Sequence, residues 1–304
     1  MKITILGSEG FVGNNLVNGL SGKHEISCAD LVSESKHDNY TQFDITDLSS
    51  VDKIIKNTDV VIDLVADSLV SSLDGSIQNA RVNIIGMLNV LESCRKNKIK
   101  KIIFTSASSM IGIPTTKQVP ENHLAVPKTA YGITKLTSEH YLRLYNELYG
   151  LNFVVFRFFN IYGSFQKNGL IPSIYTKIMN NEPVTIFGHG NQVRDYIYVE
   201  DIIPFFNRVI STDIGNNSIF NMGTGQGTSI MELVKLFSTL MDIKPEIEHL
   251  PERKGEIGNF VADTRKLEKI FGQKPSTSIK NGLEKTISWL RNQWKKAQEF
   301  LDGF

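Results

Sequence analysis

The sequence predicts an α/β fold, a doubly wound parallel sheet with a smaller mixed α/β lobe, and three observations carry the prediction. The chain opens on a short apolar strand, Lys2-Ile3-Thr4-Ile5-Leu6, then a glycine-rich turn, then a helical apolar pattern at Phe11, Val12, Leu16, Val17 and Leu20. Nearly continuous apolar runs follow at 59–66, 100–106 and 151–156, the pattern of strands buried on both faces of a parallel sheet. Helical segments separate them, about Leu48 to Lys56, Ala80 to Asn97 and Tyr131 to Tyr149, the last stopped by Gly150.

The first thirty residues have a further meaning. Strand, Gly7-Ser8-Glu9-Gly10-Phe11-Val12-Gly13, helix, second strand (Glu25 to Ala29) and Asp30 is the order of a dinucleotide-binding, Rossmann-type unit. Gly7 permits a tight turn, Gly10 lets backbone approach a pyrophosphate, and Gly13 lets the helix lie close on the strands. The N–H groups and dipole of the helix opening at Phe11 and Val12 then face phosphate. Asp30 can accept from both hydroxyls of a ribose, and its charge opposes a 2′-phosphate. No Arg is near Asp30 in the sequence, so NAD is favoured over NADP. The spacing is Gly-x-x-Gly-x-x-Gly, a weak signal alone and a specific one with its flanking strand, helix and acid.

Length, 304 residues, fits one large or two small domains, here 1–160 for dinucleotide binding and 161–304 mainly for substrate, with some segments returning to the sheet. Hydrophobic residues make up 41% and formal net charge is +1, so there is ample core and no polyanion-binding field; nucleic acid is not an expected partner. Cys28 and Cys94 lack metal-type neighbours, and the six histidines show no ligand spacing; reduced core thiols in a cytosolic protein and no metal site are expected. No signal-peptide pattern or membrane-length apolar run is present.

Later segments fill in the site. Asp44 and Ile45 precede a helix and suit an adenine, although Asp44 or Asp47 could equally cap that helix. Leu64, Val65 and Ala66 end a sheet strand at its carboxyl edge, where open α/β sheets bind ligands. Another strand ends in Thr105-Ser106-Ala107-Ser108-Ser109, a hydroxyl-rich tip at the same edge. Beyond Asn160 the alternation loosens, with short strands near Val184 to Phe187, Asp195 to Val199 and Ser218 to Met222 and helices from Ile171, Asp201, Ser229, Thr264 and Ile279.

Tyr131 and Lys135 are four apart on a helix and share a face. A phenol is a poor base, with a pKa near about 10. A neighbouring ammonium and an oxidised nicotinamide both favour the phenolate, so this pair is expected to lower that pKa and take a proton from a sugar hydroxyl.

With these residues in view, the chain resembles the extended short-chain dehydrogenase/reductases, in the NAD-dependent sugar-nucleotide epimerase/dehydratase group, over nearly its whole length. The glycine loop, Asp30, Asp44-Ile45, Asn83 with Gly86, and Tyr131-Gly132-Ile133-Thr134-Lys135 match in order. So do Arg157-Phe158-Phe159-Asn160-Ile161-Tyr162-Gly163, Gly188 to Tyr196, and Pro251 to Glu256. The resemblance implies that Asn83 serves the cofactor site and that Asn160 holds the nucleotide sugar. It implies that Arg194 and Arg253 bind a diphosphate, Glu256 the nucleoside ribose, and Leu170 and Phe187 the base. It also implies a homodimer, paired through the helices from Ala80 and Tyr131.

The family's Ser or Thr beside the catalytic tyrosine is replaced by Ala107, and its Tyr after that strand by Ile111. Ser106 or Ser108 could supply the hydroxyl, and Thr105 shares the face of Ala107. Ser108-Ser109 stands where dehydratases carry Asp-Glu, which counts against 4,6-dehydration. Phe260 stands where the family limits sugar size, and its bulk is expected to disfavour N-acetylated sugars. The implied activity is 4-epimerisation of a UDP-sugar, UDP-glucose or UDP-galactose, through transient oxidation at C4. The alternatives are another nucleotide-sugar enzyme of the same scaffold or a silent NAD-binding regulator.

Overall fold

The computed structural model describes residues 1–252 and 257–302, with side chains through Glu299. Its spine is a seven-stranded parallel sheet: β1 (Lys2–Leu6), β2 (Glu25–Asp30), β3 (Tyr40–Gln42), β4 (Val60–Asp63), β5 (Lys101–Ala107), β6 (Asn152–Phe158) and β7 (Ser218–Met222). The spatial order is β7-β6-β5-β4-β1-β2-β3. The chain runs outward from β1 in one direction and from β4 in the other. The crevice between the carboxyl ends of β1 and β4 is therefore the switch point at which such sheets take a ligand.

Alternate residues supply the two faces. Ile3, Ile5, Val60, Ile62, Ile103, Val154 and Phe156 pack against Leu16, Val17 and Leu20 of the first helix and against Phe205, Phe206, Val209 and Phe271 from the later half of the chain. On the other face, Val61, Ile102, Phe104, Phe153 and Val155 meet Val51, Ile55, Val90, Leu91, Cys94, Leu142 and Tyr145. Both cysteines are buried and free. Among the described residues, no helix is long and apolar enough to cross a membrane.

The helix expected from Ala80 begins earlier. A helical stretch runs from Ser76 to Lys96 and widens into a π-turn at Arg81–Ile85. In the second half, the polypeptide returns to the large sheet at β7 and builds a separate core around Tyr162, Tyr175, Tyr198, Ile186, Leu233 and Phe237. The short strand expected at Asp195 begins at Val193 and pairs with Asn160–Tyr162, Gly227–Ser229 and Asn259–Phe260. Val184–Phe187 pairs with Ile247–Leu250. The partner segments hold two to four residues each, too few for a period-two pattern to declare itself.

Candidate active site

The glycine loop closes the β1 side of the crevice. Gly7 has φ +84°, and a side chain there would come within 3.2 Å of the Leu64 backbone, so the two loops touch at the switch point. A Cβ on Gly13 would stand 2.6 Å from the Ser8 carbonyl oxygen and closer still to that of Gly7; the helix can begin this near the turn only with glycine there. Helix Phe11–Leu20 opens at Gly10 without a side-chain cap, which leaves its first N–H groups and positive dipole end for a ligand phosphate. The Asp30 carboxylate accepts from the backbone of Glu9 (2.9 Å) and Leu31 (2.7 Å), which aims it across the end of this loop.

Asp30 also lines a cavity of about 250 Å³ with Leu31, Phe43, Asp44, Ile45, Thr46, Val65 and Val82. Its size and mixed lining suit a purine. Asp47, not Asp44, caps the next helix, through Ser49 N (3.0 Å). Asp44 instead accepts from Thr46 N and Oγ1, both at 2.8 Å, in a tight turn at the cavity wall. An arginine does line the same cavity as Asp30: Arg81, from the π-turn. It is fifty-one residues away in the chain, so no local reading could find it.

Asn83 is buried and clamps the loop after β4. Its Oδ1 accepts from Asp67 N (2.8 Å), and its Nδ2 donates to Asp67 O (3.0 Å) and Thr134 Oγ1 (3.1 Å). A Cβ on Gly86 would strike Ile45 at 2.8 Å. This Asn-x-x-Gly pair therefore holds one cofactor-edge loop and admits the residue lining another. Leu64, Val65 and Ala66 run along that edge; Leu64 N donates to Leu6 O (3.0 Å) and Val65 N to Asp63 Oδ1 (3.0 Å).

Helix Ala130–Tyr149 begins with Thr129 capping Gly132 N. A Cβ on Gly132 would press on Ser109 O at 2.7 Å, so the helix start sits on the tip of β5 and carries Tyr131 to it. Lys135 Nζ donates to Thr105 O (2.8 Å), lies 4.5 Å from the centre of the Phe104 ring and 5.7 Å from that of Tyr131. Burial works against the expected acidified phenol, which also counts on an oxidised nicotinamide. Burial pushes Tyr131 up to about 12, and burial also brings Lys135 down to about 8, against the pull of Asp63 and Glu139. The reason is desolvation, which disfavours whichever form carries charge.

The β5 tip is regular. Pairing with β6 runs unbroken from Lys101↔Asn152 to Ala107↔Phe158, so no bulge redirects it before Ser108. Ser106 is buried with Oγ 4.0 Å from Met110 Sδ, and Thr105 Oγ1 donates to Asp63 O (3.3 Å). Ser108 opens the 3₁₀ turn that follows.

A second cavity, about 660 Å³, lies beyond this edge and is lined by Asn160, Gln166, Leu170, Phe187, Gln192 and Arg194 among others. Four of the expected substrate residues thus meet in one place: Asn160, Leu170, Phe187 and Arg194. Arg194 donates to Ile257 O (2.6 Å) and Val193 O (2.9 Å). Asn160 Nδ2 reaches Asp195 O (3.3 Å). Phe260 does not line that cavity; it is buried and stacks on Phe159, which does, with ring centres 5.2 Å apart. Arg253 and Glu256 lie outside the described residues.

Residues 3–223 match the model of the NAD dependent epimerase/dehydratase family. The chain belongs to that family. The family member of Thermotoga maritima solved as UDP-glucose 4-epimerase with UDP-glucose superposes with TM-score 0.90 at 30% identity, over 97% of this chain and 100% of that one. A UDP-N-acetylglucosamine 4-epimerase from Methanobrevibacter ruminantium, in complex with UDP-N-acetylmuramic acid, gives 0.89 at 29% identity, covering 96% and 98%. A Thermus thermophilus UDP-glucose 4-epimerase complexed with NAD gives 0.87 at 27%, covering 96% and 99%. NAD is accordingly the cofactor of this epimerase/dehydratase family member. The fit is physical: a tight glycine turn, an uncapped helix start, a carboxylate aimed across the loop and a purine-sized cavity stand in sequence along one sheet edge.

Residues that sequence reading missed tie these parts together. Asp195, fully buried, accepts from Thr224 N (2.8 Å), Thr224 Oγ1 (2.7 Å), Gly225 N (2.9 Å) and Ala262 N (3.1 Å). It knots the strand carrying Arg194 to two other loops. Thr134 links the Tyr131 helix to Asn79 and Asn83. Neither spacing nor periodicity signals such partners, which come from 29 to 67 residues away in the chain.

Proposed function

We propose that this family member is a nucleotide-sugar 4-epimerase that interconverts UDP-glucose and UDP-galactose. The observation that carries the reading is the pairing of Tyr131 and Lys135 at the β5 tip with a separate polar cavity lined by Asn160, Leu170, Phe187 and Arg194. NAD, when bound, would supply the acceptor for the C4 hydride and the donor that returns it. Tyr131, as the phenolate, takes the 4-hydroxyl proton, becomes the neutral phenol, and gives the proton back from the same oxygen. Lys135, an ammonium beside that ring, favours the phenolate that the step needs, against the burial that favours the phenol. Arg194 meets the diphosphate as a guanidinium fork, with Arg253 as a second cation, so the hexose can turn while the nucleotide stays fixed. Glu256 takes the nucleoside ribose, and Leu170 and Phe187 flank the base. Ser108 is the tip hydroxyl proposed to approach the sugar, since Ser106 is turned to Met110. Phe260, stacked behind Phe159, keeps the wall from receding and favours hexoses without an N-acetyl group.

Incubation with a panel of UDP-hexoses followed by chromatography tests this. UDP-glucose and UDP-galactose should each yield the same mixture of the two. No epimer from any UDP-hexose would remove the proposal.

A second reading rests on Ala107, which leaves the β5 tip without the usual hydroxyl: the chain would run another step on a nucleotide sugar, such as decarboxylation or reduction. Product mass separates the readings, because epimerisation leaves it unchanged. We also propose a homodimer through the Ser76–Lys96 and Ala130–Tyr149 helices. Ile85, Ile133, Leu144 and Leu148 are exposed along them, which supports a covered face. Light scattering reads the mass directly. Two free, buried thiols support a cytosolic setting.

A further inference from the structure

The buried carboxyl at the end of β4 has no part in the chemistry described so far. Asp63 is 1% exposed and Lys135 2%. Asp63 pairs in register with Phe104, and the sheet alternation puts both on the face covered by helix Ala130–Tyr149. Lys135 reaches down to that same point, 4.5 Å from the Phe104 ring and 2.8 Å from Thr105 O, while Thr105 Oγ1 is bonded to Asp63 O. Among the described residues, the surroundings otherwise offer no free counter-charge. Glu139, one turn along the same helix, is held in a two-bond fork by Arg157 at 2.9 and 2.7 Å. Cys94, facing Asp63 from helix Gly86–Lys96, is kept a neutral thiol by burial and by that carboxylate. Burial favours the neutral phenol of Tyr131.

We propose that Asp63 is the charge partner of Lys135, a positioning residue that holds the ammonium in its charged form inside a desolvated site. A lone buried ammonium tends to shed its proton, and an opposing carboxylate in low dielectric reverses that tendency. Electrostatics agree in both directions: Asp63 raises Lys135 against burial, and Lys135 lowers Asp63 against burial. Asp63 has a second duty that allows the two to be separated. Its Oδ1 accepts from Val65 N and so shapes the cofactor-edge loop. Asparagine has the same shape and keeps that acceptor; only the charge goes.

This inference rests on the catalytic reading of Lys135, and the test separates the two. The protein, ¹⁵N-labelled at lysine, is titrated by NMR without substrate, with Lys135→Met assigning the signal. In Asp63→Asn the Lys135 ammonium should titrate roughly one pH unit lower than in the parent. The alkaline limb of turnover should fall by the same interval, with KM for the sugar nucleotide little changed. Asp63→Glu retains the charge and should titrate near the parent, so a failure of the Asn variant to fold leaves a usable comparison. A Lys135 titration unmoved in Asp63→Asn, or lowered as far in Asp63→Glu as in Asp63→Asn, overturns the proposal. An absence of turnover on every UDP-hexose would defeat the epimerase reading while leaving the titration result to stand.

Discussion

Arg157 on β6 and Glu139 on the Tyr131 helix meet in a buried fork, with side chains 5% and 2% exposed and N···O distances of 2.9 and 2.7 Å. The third guanidinium nitrogen donates to Glu121 O (2.8 Å). The family's Arg-x-x-Asn stretch therefore pins the helix that carries Tyr131 to β6, one strand in from the β7 edge of the sheet. Glu139→Gln leaves a buried guanidinium without its counter-charge and should cost about 3–5 kcal/mol. Urea denaturation checks this; a loss below about 1 kcal/mol would mean that the fork is solvated in solution.

Gly13→Ala introduces a methyl group into the space occupied by the Gly7 and Ser8 carbonyl oxygens. The helix must retreat from the turn, so NAD affinity should fall at least tenfold, about 1.4 kcal/mol, and stability should fall with it. Calorimetric titration with NAD reads the first, and thermal melting the second.

Lys135 sets the pH response. Burial holds it at about 8 against an ordinary 10.5, so the folded chain binds this proton less tightly than the unfolded one. The stability this contributes is present above 10.5 and lost as pH falls through 8. Activity runs the other way, because the ammonium is the working form: kcat should decline as pH rises past about 8. Lys135→Arg keeps its charge at these pH values, and any residual turnover it shows should lack that decline.

Ala107→Ser restores a hydroxyl at the end of β5, on a half-buried residue whose strand geometry is regular. One added hydrogen bond to the reacting oxygen should raise kcat by up to about tenfold, the equivalent of about 1.4 kcal/mol. Steady-state kinetics of the variant decide it. A lower kcat would indicate that the tip is arranged for a different contact.

Most of the fold could be read from the chain because its signals are local. The β1 run, the glycine spacing and the apolar periodicity of the first helix each lie within a few residues of one another, and each recurs in the structure. The Ala130–Tyr149 helix likewise announces itself through its Gly150 stop. Long-range partners were hidden. Arg81 enters the Asp30 cavity across fifty-one residues, and Asp195 gathers donors from Thr224, Gly225 and Ala262. The surroundings of Tyr131 were hidden too: spacing on a helix reveals the ammonium, but not the burial that raises the phenol.

The central claim is that the Tyr131 oxygen moves the C4 hydroxyl proton of a UDP-hexose. Tyr131→Phe removes that oxygen and leaves the ring, so turnover of UDP-glucose to UDP-galactose should drop about 10²–10⁴-fold while NAD and UDP-glucose still bind. Unchanged turnover in Tyr131→Phe would contradict the account.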